Sequence, residues 1–138
     1  MSIGILIIAH APLASALKES AMHVFTEVGE VLQAFDVEPD LTLDEILVCA
    51  QEALSLVRTK QTLILTDIVG GTPCNVAQKL VDGTDTCLVS GVNLPMILKA
   101  LNYRSDSLER VTQHALEGGA RGISAVPPAP NNISLINL

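Results

Sequence analysis

Aromatic side chains are almost missing from this chain of 138 residues: they make up 2% of it, and tryptophan does not occur. Phe25, Phe35 and Tyr103 provide the few rings of this kind. Recognition of bases or sugars by stacking needs a platform of several rings, so the chain has almost no means of building one. Its core must be built from isoleucine, leucine, valine and alanine, because hydrophobic residues reach 49%.

Basic side chains are also scarce. Eight Lys and Arg residues stand against fifteen Asp and Glu residues, and the net charge at pH 7 is −7. This balance argues against binding to nucleic acid or to an anionic membrane surface. Seven acids fall in one stretch without Lys or Arg, which is either a solvated surface or a docking face for a basic partner: Glu27, Glu30, Asp36, Glu38, Asp40, Asp44 and Glu45.

Cysteines are few, and long apolar runs are missing. Cys49, Cys74 and Cys87 lack the spacing of metal ligands, and an odd number does not build a disulfide framework, so we expect neither a metal nor a cofactor. Cys49 and Cys87 are predicted as small core residues. No apolar run is long enough to cross a bilayer, and no basic residue precedes Lys18 as in a signal peptide. We therefore expect a cytoplasmic protein.

Strand and helix patterns alternate along the chain. Continuous apolar runs predict two buried strands, at 3–9 and 62–67, and two further strand patterns lie at 31–37 and 87–90. The segments between and after them predict helices at 13–26, 43–58, 72–81, 93–103 and 108–116. Repeated strand–helix units predict an α/β fold: an open, doubly wound sheet of four parallel strands in the order 2-1-3-4, with helices on both faces.

Particular residues predict where the helices begin and end. Thr42 and Glu45 form the pattern of a capping box. Thr72 and Asn93 are predicted as N-caps, because a proline follows each of them closely. Gly118-Gly119 is predicted to terminate the last helix.

One domain is predicted over residues 1–126, with a short edge strand at 123–126. Residues 127–138 are predicted as a proline-rich tail, since Pro127, Pro128 and Pro130 exclude a helix there. The tail has a turn signal at 131–132 and a weak alternation over 133–138.

Polar residues follow two of the strands that the predicted order makes neighbours. His10 ends the first strand, and Asp67 ends the third. Open α/β sheets bind ligands outside the carboxyl ends of their strands, where the winding reverses, and both residues fall there. Gly70, Gly71 and Thr72 follow at once and lead into a helix whose N-terminal amides favour an anion. Each of these residues alone is common in turns, but their combination at one edge of the sheet indicates a functional site.

A histidine at such an edge acts as a general base, a metal ligand or a phosphoryl acceptor. A metal is disfavoured, because His23 and His114 fall in helix patterns without matching spacing and are predicted on helix surfaces. A phosphoryl acceptor needs one free ring nitrogen, while Asp67 accepts a hydrogen bond from the other. Neither turn contains Lys or Arg, which favours a carrier that must release its phosphoryl group. A second wall of the site is predicted at Ser90, Gly91 and Asn93, with a plain strand-to-helix turn as the alternative.

Three ordered motifs carry a family resemblance: GILIIAH at 4–10, TDIVGGTPCN at 66–75 and SGVNLPM at 90–96. The chain resembles, over roughly residues 1–122, the enzyme IIA components of the mannose class of the bacterial phosphoenolpyruvate-dependent sugar phosphotransferase system (PTS). The resemblance implies a cytoplasmic phosphotransferase component. In it, phospho-HPr phosphorylates His10 on Nε2, Asp67 holds Nδ1, and Thr72 helps to seat the phosphoryl group.

The same resemblance implies partners and an assembly. His10 would pass the group to a IIB component, and the chain would associate with IIC and IID membrane components only indirectly. The implied fold adds a short antiparallel edge strand, often exchanged within a homodimer, for which residues 123–126 are the candidate. Ala11-Pro12 departs from the family, which has glycine or serine after its histidine, and the proline removes a backbone donor.

Three other functions remain open at this point. The phosphorylated histidine could serve a regulatory protein that signals the state of the PTS without sugar transport. A IIA-like subunit of a dihydroxyacetone kinase is similar, but less so at residues 70–75. A flavodoxin-like module that binds a nucleotide is disfavoured by the scarcity of aromatic residues and the lack of a GxGxxG pattern.

Overall fold

A computed structural model describes residues 2–130 of the chain, and the predicted turn and alternation over 131–138 lie outside the described residues. Four parallel strands pair in the order β2-β1-β3-β4, which confirms the prediction. The strands are β1 (Gly4–His10), β2 (Leu32–Val37), β3 (Thr62–Thr66) and β4 (Thr86–Ser90). The helices are α1 (Leu13–Met22), α2 (Leu43–Leu56), α3 (Thr72–Gln78), α4 (Leu94–Asn102) and α5 (Leu108–Arg121).

The central strand β1 is buried on both faces, which explains its unbroken apolar run. Ile5 and Ile7 pack against apolar residues of α1, α4 and α5 on one face, and Leu6 and Ile8 against α2 and α3 on the other. All four side chains have no exposed surface. Burial of each stabilises the fold by about 1.5–3 kcal/mol. β1 is therefore a rigid base that delivers His10 to the edge of the sheet.

Two predicted helix caps are confirmed. The Glu45 N–H donates to Thr42 Oγ1 at 3.2 Å, and the Thr42 N–H donates to Glu45 Oε1 at 3.3 Å. The Met96 N–H donates to Asn93 Oδ1 at 2.9 Å. These bonds satisfy amides that the first turn of a helix leaves without partners, and they set the points at which α2 and α4 begin.

The prediction of Thr72 as an N-cap is wrong. Gly71 caps α3 in an extended conformation, and Thr72 and Pro73 are the first two residues of the helix. Gly70 has a φ of +89°, which glycine adopts without strain. It completes the turn one residue earlier than the pattern indicated, so the Thr72 hydroxyl has no capping duty.

The last helix also differs from its prediction. α5 runs on to Arg121 through Gly118 and Gly119 instead of ending there. A Cβ added at Gly118 would lie 2.7 Å from Lys99 Cβ, and one at Gly119 would lie 2.7 Å from Met96 Cε. The two glycines therefore allow α5 to pack closely on α4, and they do not act as a stop signal.

The predicted edge strand is not formed. Residues 123–126 lie outside any strand, and Ile123 and Val126 are 77% and 84% exposed. Within residues 2–130 no strand pairs with this segment, so the outer edge of β4 remains open. None of the helices in this described part combines the length and apolar character that a membrane crossing requires.

Candidate functional site

His10 and Asp67 meet at the carboxyl edge of the sheet. β1 and β3 pair with Ile8 opposite Thr66, so the residues that follow them come side by side. The His10 N–H donates to Asp67 Oδ2 at 3.1 Å, and the ring nitrogen Nδ1 lies 2.7 Å from the same oxygen. One carboxylate oxygen thus holds both the backbone and the ring of the histidine.

The two side chains differ sharply in their exposure. The imidazole of His10 is 55% exposed, whereas the carboxylate of Asp67 is 13% exposed. The second carboxylate oxygen, Oδ1, accepts a hydrogen bond from the Ile68 N–H at 3.0 Å. His10 Nε2 has no hydrogen-bond partner among residues 2–130. The carboxylate is fixed from two sides, and the ring offers its free nitrogen to an incoming group.

The ionisation of Asp67 follows from these contacts. Burial alone would raise its pKa, but the hydrogen bonds from the ring and backbone of His10, with their charge attraction, lower the pKa below the ordinary value of 3.8. Asp67 is therefore ionised at neutral pH and accepts hydrogen bonds without donating any. The proton of a neutral imidazole must then lie on Nδ1, which leaves a lone pair on Nε2.

The glycine turn approaches the same ring. A Cβ added at Gly71 would lie 3.1 Å from His10 Cε1 and 3.7 Å from His10 Nε2, so only glycine brings the backbone this close without crowding the imidazole. In the part of the chain that the structure describes, the Gly70 and Gly71 amides and the Thr72 hydroxyl donate no hydrogen bond. Donors of this kind at a helix N-terminus are suited to an anion.

A cavity of about 440 Å³ lies beside His10. Thr72 lines it from α3, and the loop after β2 and the start of α2 form the rest of its wall. The lining residues are His10, Ala11, Val37, Glu38, Pro39, Leu41, Leu43, Ile46 and Thr72. Glu38 belongs to the acidic stretch noted in the sequence, but the pattern of α2 alone did not indicate that Leu43 and Ile46 border a site.

The residues predicted as a second wall of the site lie outside the lining of this cavity. Ser90, Gly91 and Asn93 do not line this cavity. Asn93 is engaged in holding helices, since its Oδ1 caps α4 and its Nδ2 donates to the Gly119 carbonyl at 3.0 Å. Gly91 has a φ of +83° and forms the turn after Ser90, and the second wall stays a prediction.

Asp36, one of the acids in the stretch noted in the sequence, has a structural role that the sequence did not indicate. Asp36 of β2 accepts hydrogen bonds from the Ser15 N–H at 3.0 Å and the Ser15 hydroxyl at 2.5 Å. α1 begins after Pro12 without a side-chain cap of its own, and Asp36 supplies one from the neighbouring strand. The helix that follows His10 is thereby tied to β2, although the loop contains a proline.

The other histidines and the cysteine near the site take no part in it. His23 is exposed at the end of α1, as predicted. His114 is half-buried, contrary to the prediction of a surface position, because its ring stacks on Tyr103 with centroids 3.8 Å apart. Cys74 is buried, with 4% exposure. Among the described residues, no three His, Cys, Asp or Glu side chains are arranged to hold a metal ion.

This chain is similar to known proteins in sequence and in structure. Residues 4–115 match the EIIA-man family, described as PTS system fructose IIA component. The PTS system sorbose-specific EIIA component of Lacticaseibacillus casei is 30% identical over 115 residues, which cover 82% of this chain and 83% of that protein.

Solved structures agree with this match. The phosphotransferase system component EIIA from Streptococcus agalactiae superposes with a TM-score of 0.78 at 26% identity, covering 89% of this chain and 96% of that one. The mannose/sorbose specific IIA subunit from Enterococcus faecalis has a TM-score of 0.83 at 20% identity, with 96% and 100% coverage. At that lower identity, the likeness shows the fold alone.

Proposed function

Since this chain belongs to the EIIA-man family of PTS IIA components, we propose that it is a cytoplasmic phosphocarrier with His10 as its acceptor. Phospho-HPr is the proposed donor, and a IIB component of a mannose-type sugar PTS is the proposed acceptor. Contact with the IIC and IID membrane components is then indirect, through IIB. The observation that carries the proposal is the 2.7 Å contact of His10 Nδ1 with Asp67, which leaves Nε2 free on an exposed ring.

The proposed step needs no proton transfer. The lone pair of His10 Nε2 attacks the phosphorus atom of phospho-HPr, and the bond between phosphorus and the donor nitrogen breaks. The electron pair of that bond returns to the ring of HPr, which carries a proton on its other nitrogen and therefore leaves as a neutral imidazole. His10 then carries the phosphoryl group on Nε2 and its proton on Nδ1, so its ring is cationic. The Asp67 carboxylate, 2.7 Å away, stabilises that charge.

Neutral donors seat the phosphoryl group in this proposal. Gly70, Gly71 and Thr72 offer backbone amides and one hydroxyl beside the ring, while the cavity lining contains neither Lys nor Arg. A Lys or Arg side chain would add the attraction of a full positive charge to the hydrogen bonds that hold this anion. A binding site without cations therefore suits a phosphoryl group that must be passed on to IIB.

Label transfer tests the proposal. The purified chain should take up one radioactive phosphoryl group per chain from HPr that enzyme I and phosphoenolpyruvate keep phosphorylated. The label should be lost in acid and kept in alkali, as expected for a phosphohistidine, and should pass to a mannose-class IIB. A chain that takes up no label contradicts the proposal. Uptake without release to any IIB favours the regulatory alternative.

We also propose a homodimer in which residues 123–126 of each copy pair with the open edge of β4 in the other. Supporting this, Ile123 and Val126 are 77% and 84% exposed, and an open edge strand is a template for pairing. The phosphotransfer domain then ends at residue 126, with residues 127–138 as a tail.

Light scattering in solution tests the dimer. The native chain should have twice the mass of one chain, and the double variant Ile123→Asp, Val126→Asp should have the mass of one, because charged side chains cannot be buried against the partner. Val24→Asp, at a residue that is 62% exposed, is the matched control and should remain dimeric. A native chain with the mass of one copy contradicts the proposal.

A further inference from the structure

The chain passes from β1 into α1 within two residues, directly after His10. Ala11 is anchored by its backbone, because its N–H donates to the Val37 carbonyl of β2 at 3.1 Å. Pro12 stands at the N-cap of α1 but cannot cap it, since a proline side chain has no polar atom. The first turn of a helix has amides that need partners. For α1, such a partner must come from another element of the fold.

Asp36 of β2 is that partner. It pairs with Ala9 across the two strands, so it lies beside the residue that precedes His10. Its two carboxylate oxygens bind one residue of α1: the Ser15 N–H donates to Oδ1 at 3.0 Å, and the Ser15 hydroxyl donates to Oδ2 at 2.5 Å. The helix dipole also favours a carboxylate at this end of a helix. Asp36 thus fixes the start of α1 to the strand next to β1.

Asp36 and the ring of His10 lie on opposite faces of the sheet. Side chains alternate between the two faces along a strand. Ile8 packs on the face that carries α2 and α3, and His10, two residues later, lines the cavity beside α2. Ala34 packs on the face that carries α1, and Asp36, two residues later, binds α1. Asp36 therefore lies away from the imidazole and acts on it only through the backbone between His10 and Ser15.

We propose that Asp36 is a positioning residue for phosphoryl transfer, which acts through Ser15 to hold the segment after His10. The inference rests on the proposed function, in which His10 Nε2 accepts the phosphoryl group. The ring must keep its 2.7 Å contact with Asp67 while its Cε1 faces Gly71, and both contacts depend on a fixed backbone at His10. Small displacements of a reacting atom lower a reaction rate by large factors. Loss of the anchor should therefore slow transfer and loosen the ring from Asp67.

A graded series of variants tests the pair. Asp36→Ala removes both hydrogen bonds and should lower the maximal rate of phosphoryl uptake about tenfold, the lower range for loss of a group that supports a functional histidine. Ser15→Ala removes the hydroxyl bond alone and should have a smaller effect. Ser15→Thr keeps both bonds and should have the native rate. Adding Ser15→Ala to Asp36→Ala should have no further effect, because the two residues act as a unit.

Two measurements separate positioning from docking and from a loss of stability. The rate should fall equally with phospho-HPr and with phosphoramidate, a small donor that needs no protein contact, because only the position of the ring has changed. In nitrogen NMR spectra of the neutral ring, native His10 should show a protonated Nδ1 and an unprotonated Nε2. In Asp36→Ala, the two nitrogen signals should move toward each other, since a ring less firmly bound to Asp67 exchanges between its tautomers.

Ser107→Ala is the matched control. The Ser107 hydroxyl caps α5 by accepting from the Arg110 N–H at 3.3 Å, and none of the residues that line the cavity belongs to α5. This variant loses a hydrogen bond at the start of a helix, as Ser15→Ala does. Its melting temperature should fall to a similar extent, while its rate of uptake and its His10 spectrum stay native.

The outcomes distinguish this inference from the proposed function. The inference is overturned if Asp36→Ala and Ser15→Ala keep the native rate, if the rate falls without a change in the His10 spectrum, or if Ser107→Ala changes both equally. In each of these cases, a native chain that takes up label still supports the proposed function. A native chain that takes label from neither donor overturns both.

Discussion

His10→Ala is expected to abolish phosphoryl uptake, with a loss of at least about a thousandfold in labelling by phospho-HPr. The variant lacks the atom that forms the covalent bond. Neither neighbour replaces it, because Thr72 contributes a neutral hydroxyl and Asp67 is turned toward backbone and ring donors. The measurement is the initial rate of label incorporation, with thermal unfolding beside it. Since the imidazole is 55% exposed, alanine should leave the fold intact.

Two further variants sharpen this result. His10→Asn keeps an amide N–H that reaches toward Asp67 but has no nucleophilic nitrogen, so it should be as inactive as His10→Ala. His23→Ala removes an exposed histidine at the end of α1 and should label like the native chain. Label that persists on His10→Ala would move the acceptor to another residue and refute the assignment.

The meeting of His10 and Asp67 could be predicted because it depends on strand order. Buried apolar runs identify parallel strands, and parallel strands deliver their ends to one edge. The register of Ile8 with Thr66 then brings the next residues together. The hydrogen bond between the His10 ring and Asp67 was also predicted, but the bond from the His10 N–H to the same oxygen and the lowered pKa of Asp67 were not, because they depend on the rotamer and the burial of the carboxylate.

Glycine and threonine misled the prediction of helix ends for a common reason. Gly118 ends a helix if nothing lies beside it, but it also permits close approach, and Lys99 of α4 takes that space. Thr72 before Pro73 has the pattern of a cap, yet Gly71 adopts the cap conformation instead. In both cases, a local signal had two meanings: the contact with Lys99, distant in sequence, decided between them at Gly118, and the turn at the neighbouring Gly70 decided at Thr72.

The walls of the site were the least predictable part. Leu43 and Ile46 have the spacing of ordinary helix residues, and only the position of α2 beside β1 brings them to His10. Asp36 caps a helix that begins more than twenty residues before it. Contacts between residues distant in sequence leave no periodic pattern in a single sequence. The acidic stretch that contains Glu38, in contrast, could be recognised from the sequence.

Asp67→Asn is expected to slow phosphoryl uptake about 100-fold, the upper range for a residue that orients a functional histidine. Asp67 receives four donors: the His10 ring and N–H at Oδ2, and the Ile68 N–H and the Thr66 hydroxyl at Oδ1. An asparagine must turn its NH₂ toward one of these oxygen positions. If it faces His10, it donates to Nδ1 and moves the ring proton to Nε2, which removes the nucleophile. If it faces Ile68, the ring keeps its tautomer but loses its countercharge.

The loss should appear in the maximal rate of transfer and not in the KM for phospho-HPr, because Asp67 is 13% exposed and a docked protein does not reach it. Asp40→Asn removes an equal charge from the exposed loop after β2 and should leave the maximal rate unchanged. An Asp67→Asn variant that differs from native only in KM would contradict the orienting role.

Stability against pH gives an independent measure of the same contact. The pKa of Asp67 is lowered in the folded chain, because hydrogen bonds from His10 outweigh the effect of burial. A lowered folded pKa adds stability that is present above the unfolded value, near 3.8, and is lost as the pH falls through the folded value. The native chain should therefore exceed Asp67→Asn in thermal stability at neutral pH, and the difference should shrink below about pH 4. A difference that stays constant on acidification would show that the ionised carboxylate does not hold the imidazole.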